Sequence, residues 1–180
     1  MSDKAQIYVA SLSDYVAGRL HGKWIDLSEC FYDPDCVNDE IQEMLKQSKE
    51  MIAEEFAIHD YDNFPSNIVY KLGEYPSLER VCEIAEMLDN NGDMIQALME
   101  CTGDLSYLDN AEDHYIGAFD SLSDVKWFIF EEIAFNNLDN DIKDQISSYI
   151  DLDHLYHEWV EIGTMSCEYV DGTYYLFDFS

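Results

Sequence analysis

Residues 7–27, IYVASLSDYVAGRLHGKWIDL, set the architecture of the first third of the chain. Ile7-Tyr8-Val9-Ala10 is a short β-branched and aromatic run that reads as a strand. A polar segment containing Gly18 and Gly22 turns the chain, and Lys23-Trp24-Ile25-Asp26-Leu27 alternates like a second strand of a hairpin-type pair. Beyond it, Val37, Ile41, Met44, Leu45 and Ile52 recur at helical spacing, with Asp39, Glu40, Glu43, Lys46 and Glu50 opposite. That pattern predicts an amphipathic helix from Val37 to about Ala53. Phe56–Tyr61 reads as a third strand, ended near Pro65. The expectation is a three-stranded sheet with one packed helix, forming a domain over residues 1–64.

Working outward, the pattern turns helical over 65–113. Ser77 is a good N-cap for a stripe of Leu78, Val81, Cys82, Ala85 and Leu88, and Asn90-Asn91-Gly92 is read as its stop. Met94, Ile95, Leu98 and Cys101 suggest a second helix ended by Gly103, and Asp104–Ala111 a third. Residues 114–180 return to a mixed pattern. Tyr115–Phe119 reads as a strand, and Ser121 or Ser123 caps a helix through Ile133. Shorter helices are expected around Ile142–Ile150 and Asp153–Ile162. Met165–Val170, Asp171-Gly172 and Tyr174–Phe179 complete a hairpin. The predicted fold class is α+β, with three small domains (1–64, 65–113, 114–180) in an elongated subunit.

Charge narrows the functional classes. The 180 residues hold 39 Asp and Glu against 9 Lys and Arg, a net charge of −30. A hydrophobic fraction of 47% separates the chain from disordered acidic tails. The net charge is −9 over residues 1–63, −9 over 64–114 and −12 over 115–180, so no single block carries it. Duplex DNA bears one charge per ~1.7 Å, so thirty charges match roughly 50 Å of duplex, or about 15 base pairs. A compact chain of this length has a diameter of about 40 Å. Direct partners with negative surfaces, nucleic acid or anionic membrane, are excluded on electrostatic grounds, and a basic surface is the natural partner. There is no secretory-signal pattern at the N-terminus, and five scattered cysteines point to reduced thiols in the cytoplasm.

The block Ile7–Tyr15 followed by Ala17–Leu27 resembles the N-terminal signature of the ArdA antirestriction proteins. Phe56-Ala57-Ile58-His59-Asp60-Tyr61-Asp62-Asn63-Phe64-Pro65 is similar to the end of that family's first domain. Asp120-Ser121-Leu122-Ser123-Asp124 and the helix after it are similar to its C-terminal region. The resemblance spans most of the chain and is weakest around Cys30–Cys36 and at the last hairpin. It implies an elongated homodimer of three-domain subunits, encoded by plasmids, transposons or phages, that mimics B-form DNA. Such a protein occupies the DNA-binding groove of type I restriction-modification enzymes and blocks cleavage, and often methylation. It also implies a dimer interface in the C-terminal domain.

Candidate working groups are carboxylates. Glu79, Glu83 and Glu86 share one helix face at axial separations of about 4.5–6 Å, the order of the ~3.4 Å charge spacing along a DNA strand. Asp109, Glu112, Asp113, Asp120, Asp124, Glu131, Glu132, Asp139, Asp141 and Asp144 extend the acidic surface. Any one of these acids is equally what a solvated helix face carries. As an ensemble they stand out because interspersed bases are missing. Leu122, Val125, Ile129 and Ile133 form one apolar stripe, and Trp127, Phe130 and Ala134 a second, so this helix is buried either within one subunit or across a dimer interface, for which Trp127 and Phe130 are the candidates.

Catalytic patterns are weak. His154, His157 and Glu161 have helical metal-ligand spacing, but two histidines on an acidic helix rarely hold a metal. Neither Asp89–Asp93 nor Asp139–Asp141 supplies an EF-hand's ligand order, and no phosphate-binding glycine loop or nucleophile elbow is present. Arg19 and His21, in the glycine-flanked turn, read as structural, with Arg19 paired to an internal carboxylate. No enzyme activity, cofactor or metal is expected. The competing readings are an acidic protein that sequesters another basic DNA-binding protein or nuclease, and a halophilic domain whose charge is environmental.

Overall fold

The computed structural model describes residues 4–50 and 52–180, and divides into two compact units, Met1–Ile95 and Gln96–Ser180. The described residues form an α+β fold of eight α-helices and two three-stranded antiparallel sheets. No helix among them is long and apolar enough to cross a membrane.

In the first unit, β1 (Gln6–Ser11) is the central strand, flanked by β2 (Gly22–Asp26) and β3 (Phe56–Asp62), all antiparallel. Ile7 faces Ile25 and Tyr8 faces Trp24. The alternation buries Ile7, Val9 and Ile25 on one face against α2 (Pro34–Lys46) and the start of α4 (Leu78–Thr102), through Val37, Ile41, Leu45, Val81 and Cys82. Fully burying each of these aliphatic side chains is worth roughly 1.5–3 kcal/mol, so this shared core dominates the unit's stability. Gly22 is required where β2 meets β1: a Cβ there would lie 2.4 Å from the Val9 carbonyl oxygen and 2.9 Å from the Tyr8 ring.

Three features of this unit differ from the sequence expectation. The turn after β1 contains a short helix, α1 (Leu12–Val16). Ser11 caps it: its Oγ accepts from the Asp14 amide at 3.4 Å and donates to the Asp14 carboxylate at 2.9 Å. The second helix stops at Lys46 instead of continuing to Ala53, a stretch that includes Met51, outside the described residues. The cause is local competition for the backbone. The Glu50 amide donates to Ser48 Oγ at 2.9 Å, Ser48 Oγ donates to Asp14, and Glu50 accepts from Arg19. Ile52, placed on the apolar stripe by its spacing, is therefore exposed. A further helix, α3 (Ser66–Leu72), follows Pro65 and buries Ile68 and Leu72.

The span labelled α4 is two helices meeting at a kink: Asn91 leaves helical geometry, at φ −147° and ψ 46°, within the Asn90-Asn91-Gly92 stop expected for the first of them. Gly103, at φ +62°, closes the helix, its amide donating to the Met99 carbonyl at 3.0 Å. A 3-10 turn, Leu105–Asn110, and α5 (Ala111–His114) lead into the second sheet. There β4 (Tyr115–Phe119) and β5 (Met165–Val170) both pair with β6 (Thr173–Asp178), and the hairpin turn has both Asp171 and Gly172 at positive φ.

One face of that sheet packs on α6 (Leu122–Phe128) and α8 (Leu152–Tyr156), with Val125, Ile129, Met165 and Leu176 at the centre. Between them lies α7 (Asn140–Ser147). After α6 and α8 the helices widen to i→i+5 hydrogen bonding over Ile129–Ala134 and His157–Glu161, closed by Phe135 N–H to Phe130 C=O at 3.2 Å and Ile162 N–H to His157 C=O at 3.1 Å.

Candidate interaction surface

The acidic surface follows from how the apolar stripes are spent. Along the first half of α4, Val81, Cys82, Ile84 and Ala85 turn inward, which leaves Glu79, Glu83 and Glu86 exposed on the opposite side of the first unit. The other ten acids predicted from sequence belong to the second unit, and all ten are exposed. Asp109 lies on the 3-10 turn, Glu112 and Asp113 open α5, Asp120 precedes α6 and Asp124 lies in its first turn. Glu131 and Glu132 ride the wide-turn segment, while Asp139, Asp141 and Asp144 line the cap and body of α7.

Among the thirteen, Glu83 and Asp124 are partly committed to their own helices. Glu83 pairs with Arg80 at 3.2 Å. Asp124 accepts from Ser121 Oγ at 2.6 Å, and its amide donates back to that oxygen at 3.2 Å. This settles Ser121, rather than Ser123, as the cap.

Exposure extends beyond the predicted set. Only Asp14, Asp26, Glu40, Glu50, Glu168 and Asp178 among the described acids are withdrawn from full exposure. The bases, by contrast, are largely consumed. Lys4 pairs with Asp89, Arg19 with Asp14 and Glu50, Lys23 with Glu40, Lys46 with Glu43, and Lys126 with Asp153. Lys143 is buried and donates to the Glu131 backbone carbonyl at 2.6 Å, tying α7 to the wide turn. Most of the few cations are therefore neutralised locally, and the surplus carboxylates set the field seen by an approaching molecule.

The Arg19 and His21 turn is structural, as its sequence suggests. Arg19 Nε donates to Asp14 Oδ1 at 3.2 Å, and the Asp14 side chain is almost wholly buried. Hydrogen bonding from Ser48, then from Ser11 and Arg19, holds the Asp14 carboxyl below the usual carboxylate range although burial opposes it. His21 Nε2 lies 2.7 Å from the Met44 backbone carbonyl, fastening the turn to the end of α2.

Cys30, Cys82 and Cys101 are poor nucleophiles. Burial pushes Cys30 up to about 12, Cys82 to about 11 and Cys101 to about 12, leaving them as neutral thiols. His157 Nδ1 lies 2.6 Å from Glu161, and His154 lies 3.9 Å from Glu158. Among the described residues no three His, Cys, Asp or Glu groups converge as a metal site. A depression of about 430 Å³ lined by Leu12, Ser13, Val16, Ile52, Glu54 and Glu55 brings no acid–base pair or nucleophile–base pair together.

The two residues proposed for a subunit seam differ in environment. Phe130 is fully buried within its own chain, edge-on to Trp127 at 5.6 Å and against Phe135 at 5.2 Å. Trp127 keeps 38% of its surface exposed, so it is the member of the pair that another molecule can reach.

Comparison with known proteins places this surface in context. A family model described as "Antirestriction protein (ArdA)" matches residues 7–171. No curated protein matches the chain by sequence comparison.

Proposed function

Because the chain belongs to the ArdA antirestriction family, a family of restriction inhibitors, we propose that it acts as a DNA mimic. In this reading its carboxylates occupy the DNA-binding groove of a type I restriction-modification enzyme. The observation that carries the reading is the pairing of thirty excess negative charges with a fold that exposes nearly all of them and ties up most of its few cations. Lys and Arg side chains that normally meet phosphates then meet Asp and Glu, and the association gains from steering at long range.

The energy of such an interface is spread over many screened pairs, each worth little. Occupation of the groove excludes DNA from cleavage and from methylation alike, since both reactions require the same duplex. A homodimer joined through the second unit, with the exposed edge of Trp127 in the seam, doubles the length of charge presented.

The test is ATP-dependent cleavage of an unmodified plasmid by a purified type I enzyme with increasing amounts of this protein. Inhibition that is relieved by adding more unmodified DNA, and not by adding more ATP, supports competitive occupation. Undiminished cleavage at a large molar excess contradicts it. Sequestration of some other basic protein remains the second reading, and it predicts binding to nucleoid proteins with the type I enzyme untouched.

A further inference from the structure

The loop between β2 and α2 holds an aromatic side chain outward at a conformational cost. Phe31 is 87% exposed, yet it stands between buried Cys30 and half-buried Tyr32. Phe31 and Tyr32 both adopt left-handed backbone geometry, at φ 53° and 55°. That region is unfavourable for any residue bearing a Cβ, and two bulky aromatics in succession are a marked departure.

The loop is not loose. The Phe31 amide donates to Ser28 C=O at 3.0 Å, Tyr32 to Leu27 at 2.9 Å, and Asp33 to Cys30 at 2.9 Å. The Tyr32 hydroxyl donates to Asp89 at 2.7 Å, anchoring the loop to α4. Asp33 caps α2 through the Asp35 amide at 3.0 Å. The surrounding bonds thus fix the backbone that carries Phe31, which holds the ring outward. Residues 27–35 contain Glu29, Asp33 and Asp35, all exposed, and no Lys or Arg.

A rigid apolar ring among carboxylates is complementary to an apolar pocket framed by cations. We propose that Phe31 is a docking anchor that enters such a pocket on the target. Resting on the DNA-mimic reading, the pocket is the one in which a DNA methyltransferase receives its extruded base. Enzymes that modify a base take it out of the stack into a pocket walled by aromatic and apolar side chains, with backbone phosphates held by cations on either side. Phe31 would stand for the base, and Glu29, Asp33 and Asp35 for neighbouring phosphates. Rigid presentation lowers the ordering cost of binding, which is how a single aromatic becomes an interface anchor.

The experiment uses the full-length chain and the methyltransferase core of a type I enzyme, reading displacement of a fluorescent duplex together with thermal unfolding. Phe31→Gly removes the ring and the left-handed strain at once. The expected result is a Tm equal to or a few degrees above the parent, with displacement weakened about tenfold or more. Phe31→Tyr retains displacement. Parent-like displacement by Phe31→Gly would overturn the anchor and leave DNA mimicry standing, whereas failure of the parent itself to displace duplex would defeat the mimicry reading and this proposal with it. A lowered Tm with parallel loss of binding would make the ring structural and overturn the anchor. A photo-crosslinking p-benzoylphenylalanine at position 31 should join the base pocket, and crosslinks confined to another surface would overturn the assignment.

Discussion

Distributed charge makes a quantitative claim about neutralisation. Glu79, Glu86, Glu131 and Glu132 are all exposed and hold no ion pair among the described residues, so changing them to Gln removes charge without breaking an internal contact. A solvent-screened pair is worth about 0.2–1 kcal/mol. Taking about 0.5 kcal/mol each, one substitution weakens target binding about twofold, which is within the scatter of a displacement assay. All four together remove about 2 kcal/mol, a loss of about thirtyfold at ordinary salt. The assay is competition with a fluorescent duplex for a type I methyltransferase core, with thermal unfolding as the control for fold. Stability should hold or rise slightly, since each change relieves like-charge repulsion. The advantage of the parent should shrink as the screening length falls from about 8 Å at physiological salt toward 3 Å at 1 M. A single one of these changes that abolishes displacement in a folded protein would refute distributed binding and point to a discrete site. A quadruple variant of parental affinity would show that the contact surface lies elsewhere.

Other outcomes follow from particular contacts. Gly22→Ala drives a Cβ into the Val9 carbonyl, so the denaturation midpoint should fall sharply, by the equivalent of about 2 kcal/mol or more. Phe130→Ala, at a fully buried site, should cost about 3–5 kcal/mol. Trp127→Ala should cost much less, and if the seam runs through it, analytical ultracentrifugation should show a shift toward monomer. The Asp14 carboxyl is held below its ordinary value near 3.8, so its contribution to stability is present above that pH and is lost as pH falls through the lowered value. Urea midpoints measured from pH 5 down to pH 3 should decline less steeply in Asp14→Asn than in the parent.

Period and punctuation carried much of the fold. Alternation in Ile7–Ala10 and Lys23–Leu27 located the first two strands, Asp171-Gly172 located the last hairpin, and Ser77 was the correct start for α4, its Oγ accepting from the Arg80 amide at 3.2 Å. What escaped was set by side chains acting on backbone at short range. Ser11-Leu12-Ser13-Asp14 carries the same Ser-x-x-Asp capping pattern as Ser121–Asp124, but the neighbouring glycines make its composition that of a turn. Periodicity through Ile52 overextends α2, because it says nothing of Ser48 and Glu50 being recruited by Asp14 and Arg19 from 34 and 31 residues upstream. The widening to i→i+5 bonding after α8 leaves a trace in Gly163, where a Cβ would lie 2.3 Å from the Trp159 carbonyl oxygen, while that after α6 leaves none. For the candidate surface, helical spacing placed Glu79, Glu83 and Glu86 on the face opposite the apolar stripe, where they are exposed. Spacing was silent on which acids are occupied, as Glu83 and Asp124 are, and on the outward Phe31, whose signal is a backbone angle and not a residue pattern.

Equilibrium displacement tests the central claim most directly: a labelled duplex bound to a type I methyltransferase core at ~0.15 M salt, titrated with this protein or with an unrelated folded protein of equal charge. DNA mimicry predicts displacement at near-stoichiometric concentration by this chain and none by the charge-matched control. Equal displacement by both would reduce the effect to generic acidity, and no displacement by either would contradict mimicry of DNA at this target.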